Sequence, residues 1–426
     1  MLDPRTLAER RDEVAASVRR RGVHADVDAA VAAYEEAARL RTAVGEANRV
    51  RNEHGKAGNR KMDSAEREGF TAEGRRLKDE VGRLEGELAA AEARLAETLA
   101  ALPNLIHPEV PDGGEGDARE LRRWGTPPRF DFAALDHVEL ARRLDLADFE
   151  AGTRVAGPKF YYLKNEAVLL ALALQHLALD LLRSEGFTLV STPDLAKAEM
   201  VAALGYAPRG PETQVYSVAD SDLCLVGTAE ITLGGLFAGV TLEEDALPVR
   251  LAGLSHCFRT EAGSYGRESK GLYRVHQFTK VEMFAVTRPE DSEAMHAELL
   301  ALEERLFQAL EVPYRVLDIA AGDLGAPAIR KFDLEAWMPG RGEAGGWGEV
   351  TSASNCTDYQ ARRLEARFKR KGAKRSEHVH MLNGTAFADT RALIALLENH
   401  QRADGSVAVP KALQRFAGID RIGPRS

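Results

Sequence analysis

The segment 251-LAGLSHCFRTEAGSYGRESKGLYRVHQFTKVEMF-284 carries the strongest structural pattern in the chain. Two apolar runs flank a polar middle with three glycines, which predicts a long antiparallel hairpin with a flexible basic loop. Arg259 and Glu261 lie two positions apart, so both side chains project from one face of a strand. A guanidinium binds phosphate and a carboxylate accepts from an amine, so the pair suits a ligand with both groups. The alternative is an ion pair that only stabilises the sheet.

The same segment resembles a known motif. The run FRTEAGSYGRESKGLYRVHQFTKVEMF (258–284) is similar to motif 2 of the class II aminoacyl-tRNA synthetases, in the form found in seryl-tRNA synthetases. The pattern of FRxE, a loop and HQFxKVEM is long and specific. The resemblance implies an ATP-dependent enzyme, and the rest of the chain can be tested against it.

Composition limits the class of protein. The chain has 426 residues, 44% of them hydrophobic and 29% charged, with a formal net charge of −9. This length predicts two or three domains. The overall acidity argues against a general nucleic-acid coat, so any RNA contact must use local basic patches.

Compartment is indicated by the cysteines and the apolar runs. The three cysteines are scattered and form no CxxC pair, which argues against a disulfide framework and a structural zinc site. A reduced, cytoplasmic protein is the simple interpretation. The N-terminus is too charged for a signal peptide. Polar residues interrupt the apolar run around 167–182, which predicts a soluble helix packed on both sides and no membrane span.

Two helical patterns occupy the first hundred residues. Apolar residues recur at three- and four-residue steps from Val27 to Val50 and from Leu77 to Leu102, with a glycine-bearing gap between them. This predicts an antiparallel coiled-coil hairpin, roughly 45 Å long at 1.5 Å per residue. Basic residues lie toward its tip: Arg41, Arg49, Arg51, Lys56, Arg60 and Lys61. The residues alone fit an RNA-binding arm and a dimerisation or spacer device equally well.

The resemblance favours the RNA-binding interpretation, because seryl-tRNA synthetases carry an N-terminal coiled coil that binds the long variable arm of the tRNA. The predicted fold is α+β, with an antiparallel-sheet class II catalytic domain preceded by this arm. The predicted domains are a helical arm at 1–105, a Pro- and Gly-rich linker at 106–128 and the catalytic domain at 129–426. A strand, helix and strand ending at Pro193 resemble motif 1, which implies a homodimer.

The resemblance also assigns the serine site. Thr228, Ala229 and Glu230 match a triplet that contacts serine in the family, although the residues alone favour a helix N-cap at Thr228. Glu282 resembles the carboxylate that binds serine. In a segment that resembles motif 3, Asn383 and Thr385 are implied to contact L-serine.

ATP is assigned to the hairpin and to motif 3. Arg259 resembles the catalytic arginine on the α-phosphate, and Thr260 and Glu261 continue that contact toward the adenine. Val275 is implied to line the nucleotide pocket and Phe278 to stack on adenine. Arg391 is implied to face the γ-phosphate side.

A further segment is implied to bind Mg²⁺ with the triphosphate. Glu349 and Ser352 match the family's metal-binding Glu and Ser, and Val350 and Thr351 between them are assigned to ATP. Hard oxygen ligands with few carboxylates suit Mg²⁺ shared with phosphates. The alternative is a strand with ordinary surface polar residues. The chain departs from the family's glycine-rich motif 3 at 386–390, where Asp389 is expected to put a carboxylate near the triphosphate.

Together these matches imply a catalytic cycle. Serine and ATP form seryl-adenylate and pyrophosphate, and the seryl group then passes to tRNA(Ser), and to tRNA(Sec) as well. One alternative is a paralogue that adenylates serine but passes it to a non-tRNA acceptor. A second is a non-enzymatic tRNA-binding protein, against which the retained Arg259, Glu282, Glu349 and Arg391 argue.

Overall fold

The computed structural model describes residues 1–206, 214–261 and 270–424. The chain forms two compact units, Met1–Leu105 and Ile106–Ser426. The predicted flexible loop of the central hairpin, at 262–269, lies outside the described residues.

The first unit is helical. Its helices are α1 (Pro4–Glu9), α2 (Arg11–Arg20), α3 (Val27–Ala57) and α4 (Ser64–Ala101). Helices α3 and α4 pack antiparallel, with Arg41 bonded to Glu92 at 2.7 Å and His54 stacked on Phe70 near the tip. The buried residues of α4 are the periodic ones: Leu77, Val81, Leu84, Ala91, Leu95 and Leu99. The predicted antiparallel coiled-coil hairpin is confirmed.

Side-chain caps set the starts of the two long helices. The Asp26 carboxylate accepts from the Ala29 N–H, and Asp63 and Glu66 form a reciprocal capping box. These bonds satisfy N–H groups that have no partner within the helix. The Asp63–Glu66 box therefore determines where the turn ends and α4 begins.

The second unit contains the following elements. Its helices are α5 (His137–Leu144), α6 (Phe149–Ala156), α7 (Glu166–Ser184), α8 (Ala198–Ala203), α9 (Ala229–Gly235), α10 (Ser292–Ala309), α11 (Tyr359–Leu364), α12 (Asp389–Asn399) and α13 (Lys411–Ala417). Its strands are β1 (Arg119–Trp124), β2 (Ala147–Asp148), β3 (Tyr162–Leu163), β4 (Thr188–Ser191), β5 (Leu195–Lys197), β6 (Tyr216–Ser217), β7 (Leu223–Leu225), β8 (Thr241–Glu243), β9 (Val249–Phe258), β10 (Gln277–Thr287), β11 (Tyr314–Asp318), β12 (Arg330–Met338), β13 (Gly346–Asn355), β14 (Arg367–Lys369), β15 (Glu377–His378), β16 (His380–Ala388), β17 (Val407–Ala408) and β18 (Arg421–Ile422).

An eight-stranded sheet dominates this unit, in the order β1-β11-β12-β13-β16-β10-β9-β4. Every neighbouring pair is antiparallel except β4 with β9, which are parallel. The predicted hairpin is formed by β9 and β10, which pair antiparallel along their length. The α+β fold with an antiparallel sheet is confirmed.

Strand β10 is buried on both faces. Val281, Met283 and Ala285 pack into a core with α7, α10 and α12. Phe284 and Val286 alternate with them and pack on the opposite face, against α9 and α11. Lys280 and Glu282 share that second face because strand side chains alternate. The sheet therefore holds two charged residues at positions that would otherwise be apolar.

The predicted linker, 106–128, needs a correction. Residues of β1 pair antiparallel with β11, and Ile106 and Val110 pack against Leu317 and Ile319. The segment is therefore part of the second unit and extends its sheet. Its Pro- and Gly-rich composition suggested a linker because a short edge strand carries little apolar pattern of its own.

Helix α7 is the one helix among the described residues that is long and apolar enough to cross a membrane by those criteria alone. Core helices of soluble proteins meet the same criteria, and Leu170, Leu174 and Leu182 are fully buried in the main core. The prediction that it packs on both sides is not met within the single chain, since Leu169 and Leu172 are 43% and 51% exposed there. One face of α7 is therefore apolar and open.

Two helical glycines in this unit allow a matched test of packing. A Cβ added at Gly152 in α6 would lie 2.3 Å from the Phe160 carbonyl oxygen, whereas one at Gly235 in α9 would meet only Met200 Sδ at 3.9 Å. We expect Gly152→Ala to lower the free energy of unfolding by about 1–3 kcal/mol, because backbone must move. Gly235→Ala should not lower it. Urea unfolding measures both, and equal effects would contradict this account of α6.

Candidate active site

A cavity of about 460 Å³ opens on the sheet face that carries Lys280 and Glu282. Strands β10, β12, β13 and β16 and the start of α12 supply most of its wall. The segments 204–206 and 325–328 close its sides. Its lining is rich in charged side chains, which is the environment expected for a charged ligand.

Most residues that the sequence assigned to ligands meet in this cavity. They are Glu230, Arg259, Glu261, Val275, Phe278, Glu282, Glu349, Val350, Thr351, Ser352, Asn383, Thr385 and Arg391. They come from separate stretches of the chain that the antiparallel pairing brings side by side. The fold therefore gathers these side chains around a single cavity.

Three assigned residues do not line the cavity. The Thr228 hydroxyl accepts from the Glu230 N–H at 3.2 Å and caps α9, so the N-cap alternative describes its geometry. Ala229 is fully buried against a small apolar cluster. The Thr260 N–H donates to the Gln214 carbonyl at 3.3 Å. Thr228 and Ala229 instead determine where Glu230 enters the site.

Glu230 is held by three partners at one end of the cavity. Gln360 donates to Oε1 at 2.6 Å and Asn383 donates to the same oxygen at 2.9 Å. Tyr206 donates to Oε2. Burial, reinforced by the nearby Glu282 carboxylate, raises the pKa of Glu230 to about 7. The fold therefore presents a carboxyl group that changes charge near neutral pH.

Sequence reasoning missed Tyr206 and Gln360. Each lies in a stretch with no motif, and each reaches Glu230 only through long-range packing. It also left Lys280 unassigned, although Lys280 is buried beside Glu282 and forms an ion pair with it. A charged residue at an interior strand position was the available signal for Lys280.

Glu282 lies at the centre of the cavity wall. Its carboxylate pairs with Lys280 and accepts a long hydrogen bond from Thr385 Oγ1 at 3.5 Å. The register explains this contact, because a bulge leaves Ala386 of β16 without a partner and so places Thr385 directly opposite Glu282 on β10. Without this bulge Ala386 would lie opposite Glu282, so the bulge brings the Thr385 hydroxyl to the carboxylate.

Arg259 and Phe278 form a second wall. The Arg259 guanidinium lies 5.4 Å from the centre of the Phe278 ring, and its Nε donates to the Gly227 carbonyl at 3.3 Å. Glu261 nearby has a left-handed backbone conformation, with φ of 49°, and its carboxylate lies 3.6 Å from Arg274. A cation and an aromatic face are thus adjacent, which suits a phosphate joined to a flat ring system.

Arg391 and Glu349 form the opposite end. Arg391 Nη1 lies 3.0 Å from Glu349 Oε1 and donates to the Glu349 carbonyl at 3.2 Å. Burial would raise the pKa of Glu349, but the cations Arg391, Lys331 and Arg259 outweigh it and lower the pKa to about 2. Tyr273 supports this end, with its ring 4.8 Å from the Arg391 guanidinium. The carboxylate is therefore ionised at any physiological pH.

The predicted metal residues lie next to an unassigned carboxyl group. Ser352 on β13 is directly opposite Asp333 on β12, and Asp333 Oδ1 is buried with no hydrogen-bond partner. Burial raises the pKa of Asp333 to about 7, against the effect of Lys331, whose Nζ lies 3.2 Å away. Among the described residues, no cluster of three or more His, Cys, Asp or Glu side chains could hold a metal ion alone.

Two other assigned residues of β13 point partly into the core. Val350 belongs to the main apolar cluster. Thr351 donates to the buried Glu303 at 2.8 Å, and burial keeps the pKa of Glu303 well above its usual range. Val350 and Thr351 therefore mainly anchor β13 to the core beside the cavity.

The expectation for Asp389 is wrong. Its Oδ1 accepts from the N–H groups of Thr279 at 3.1 Å and Thr390 at 2.7 Å, and the side chain does not line the cavity. Burial raises its pKa to about 6. The carboxyl group joins β10 to the start of α12, and it leaves Thr390 and Arg391 to face the cavity.

The chain matches two family models. One describes the seryl-tRNA synthetase N-terminal domain and covers residues 1–106, and the other describes the tRNA synthetase class II core domain (G, H, P, S and T) and covers residues 215–400. The serine–tRNA ligase of Rhodopirellula baltica is 54% identical over 99% of both chains. That of Rubrobacter xylanophilus is 52% identical over 100% of this chain and 99% of its own.

Solved structures agree with these matches. The seryl-tRNA synthetase of Pyrococcus horikoshii, complexed with ATP, superposes with a TM-score of 0.91 at 38% identity over 100% of both chains. The cytoplasmic serine–tRNA ligase of Naegleria fowleri, in complex with AMP, gives a TM-score of 0.88 at 31% identity over 100% of this chain and 99% of its own. With the arm, the antiparallel sheet and the charged cavity in place, the chain belongs to the seryl-tRNA synthetase family of class II aminoacyl-tRNA synthetases.

Proposed function

We propose that this protein is a serine–tRNA ligase that joins L-serine to tRNA(Ser) through a seryl-adenylate. The observation that carries the proposal is the meeting of Arg259, Glu282, Glu349 and Thr385 in one cavity. Relatives that carry the name serine–tRNA ligase are about half identical over the whole chain. The whole-chain match supports both halves of the activity, adenylation in the second unit and tRNA binding in the first.

Serine is assigned to the end of the cavity that contains Glu230, Glu282, Asn383 and Thr385. Glu282 accepts from the ammonium group, and Glu230 with its partners meets the hydroxyl. A site that hydrogen-bonds a substrate hydroxyl rejects the analogue without it by about 10⁴-fold, because alanine would leave the partners unpaired.

ATP is assigned to the wall from Phe278 to Arg391. Phe278 stacks on adenine, Glu261 accepts from its amino group, and Arg391 faces the γ-phosphate. A serine carboxylate oxygen attacks the α-phosphorus, and pyrophosphate leaves with the electrons of the broken bond. Arg259 stabilises the charge that develops on the phosphoryl oxygens. The 3′-terminal hydroxyl of the tRNA then attacks the seryl carbonyl, and AMP leaves.

Glu349 and Ser352 fit a Mg²⁺ ion that is shared with the triphosphate. Two hard oxygen donors beside the partnerless Asp333 Oδ1 are a donor set that Mg²⁺ uses together with phosphate oxygens and water. When bound, the ion neutralises phosphate charge. Glu349 is ionised and its carboxylate is paired with Arg391, so it would offer the ion a charged oxygen donor.

The arm is assigned to tRNA. Many of its charges are paired on the helix surface, as in Arg49 with Glu46 and Glu53. The tip also carries Arg51, Lys56, Arg60 and Lys61, which supply phosphate contacts. We include tRNA(Sec) as a second substrate, because backbone and shape recognition of a long variable arm does not depend on the anticodon.

We also propose a cytoplasmic homodimer. The open apolar face of α7 adjoins β4, an edge strand with Leu189 41% exposed. A second copy of this chain would cover both elements, as an exposed apolar face and a sheet edge require. The three cysteines are free thiols, which fits a reducing compartment.

A serine-dependent exchange of labelled pyrophosphate into ATP tests the first step, and transfer of labelled serine to tRNA tests the second. We expect both. Glu349→Gln should lower exchange by about 100-fold or more, because a neutral amide neither holds Mg²⁺ nor pairs with Arg391. The control Glu335→Gln, on β12 and paired with Arg315, should retain activity. Exchange without transfer would favour the alternative acceptor, and no exchange would favour the non-enzymatic alternative.

Charge at the arm tip should control tRNA affinity alone. We expect the variant Arg51/Lys56/Arg60/Lys61→Ala to raise KM for tRNA about tenfold and to weaken its salt dependence, with pyrophosphate exchange unchanged. The control removes the same charge from residues that each pair with a glutamate three positions away: Arg10, Arg39, Arg76 and Arg83. Equal loss in both variants would mean that net charge matters and the tip does not.

Glu230 should make the free energy of unfolding depend on pH. The ordinary pKa of 4.5 rises to about 7 on folding, so the folded state keeps a proton that the unfolded chain loses between these values. The stabilisation is complete below pH 4.5 and disappears as pH rises to about 7. Relative to Glu230→Gln, the wild type should lose about 3 kcal/mol across this window in urea unfolding. Parallel profiles for the two proteins would contradict the assignment.

A further inference from the structure

A buried histidine–glutamate pair lies outside the main cavity. His137, at the start of α5, and Glu398, near the end of α12, are 5% and 2% exposed. Nδ1 of His137 lies 2.8 Å from Glu398 Oε1, and Nε2 lies 3.2 Å from the Leu272 N–H. Because a backbone N–H can only donate, Nε2 accepts and the ring proton is on Nδ1. The contacts therefore define one neutral tautomer.

Both carboxylate oxygens of Glu398 accept hydrogen bonds. Its Oε1 also accepts from the His137 N–H at 2.9 Å, and its Oε2 accepts from the Gly340 N–H at 2.8 Å. The pair thus joins α5, α12, the turn after β12 and the segment that leads into β10. Buried polar groups satisfied in this way fix one arrangement of the elements around them.

The segment that His137 holds runs directly into the cavity. Gly271 passes so close to the imidazole that a Cβ there would lie 2.3 Å from Nε2, and its φ is +59°. Two residues later, the Tyr273 ring lies 4.8 Å from the guanidinium of Arg391 and 4.8 Å from that of Arg341. The Tyr273 hydroxyl donates to the Glu349 carbonyl at 3.4 Å. The position of Tyr273 therefore bears on both charged residues at this end.

Helix α12 contains both Glu398 of the buried pair and Arg391 of the cavity. It carries Arg391 in its first turn and Glu398 in its last. Seven residues are almost two turns, so both side chains leave the same side of the helix about 10 Å apart. Contacts then run from Glu398 through His137 and Leu272 to Tyr273, and back to Arg391. No residue of the pair touches the reacting groups.

We propose that His137 is a positioning residue for the ATP end of the cavity, with Glu398 holding the imidazole in the tautomer that accepts from Leu272. The imidazole holds the backbone at Leu272, this places the Tyr273 ring, and the ring orients the Arg391 guanidinium. The inference rests on the proposed function, since that function assigns ATP to this cavity. It predicts a defect confined to ATP.

Two substitutions separate the two bonds of the imidazole. In His137→Gln the amide oxygen can reach the place of Nε2 and accept from Leu272. In His137→Asn the amide can replace only Nδ1 and keeps the bond to Glu398 alone. In pyrophosphate exchange we expect His137→Asn to raise KM for ATP about tenfold, with KM for serine changed less than twofold. His137→Gln should stay within about twofold of wild type for both substrates.

A matched control removes a histidine that holds backbone elsewhere. His400 Nε2 bonds the Leu310 carbonyl at 2.8 Å, away from the segment at 270–273. His400→Ala should lower the thermal midpoint without raising KM for ATP. If the His137 variants do not fold, Tyr273→Ala removes the ring itself and should give the same rise in KM for ATP.

The outcomes distinguish a failure of the proposed function from a failure of the positioning role of His137. Absence of serine-dependent exchange in the wild type would contradict the proposed function. An active wild type with KM for ATP unchanged in His137→Asn, or in Tyr273→Ala where the His137 variants do not fold, would overturn the positioning role. The same holds if His400→Ala raises KM for ATP as much as His137→Asn does, since the effect would then reflect stability alone.

Discussion

The register of β10 between β9 and β16 is the constraint on which the rest of the site depends. It places Glu282 opposite Thr385 on one side and opposite Gly253 on the other. Gly253 has a packing role, because a Cβ there would lie 2.8 Å from Leu233 on α9. Helix α9 can therefore lie close to the sheet and bring Glu230 to the same cavity. A slip of one residue would turn Glu282 into the core.

Neighbouring charges and burial then determine the protonation of each carboxyl group in the cavity. Glu349 lies among Arg391, Lys331 and Arg259 and is ionised, whereas burial raises the pKa of Glu230 to about 7. Two carboxyl groups of the same type thus lose their protons in different pH ranges because their surroundings differ. The cationic end fits a polyphosphate and the hydrogen-bonding end fits a small hydroxylated ligand. The two ends of the cavity therefore differ in charge and in hydrogen-bonding groups before any ligand binds.

Local patterns predicted the hairpin and the arm, and the resemblance to the class II synthetase motifs predicted the sheet and most of the cavity wall. The near-heptad spacing of α4 and the polar positions within the β10 strand could be read directly. Asp389 and the 106–128 segment were misassigned, since a carboxyl group that bonds backbone and a short edge strand look like a ligand and a linker in sequence alone. Tyr206 and Gln360 could not be found, because only tertiary packing brings them to Glu230.

The two contacts made by helix α12 limit the insertions and deletions that this helix can accept during evolution. Its first turn contributes Arg391 to the cavity and its last turn contributes Glu398 to a separate buried pair. Single substitutions between them alter one side chain at a time. Insertion or deletion of one residue would rotate the far end by about 100°, so one of the two contacts would be lost. The length of this helix is therefore under tighter restraint than its composition, and tolerated indels should fall outside it.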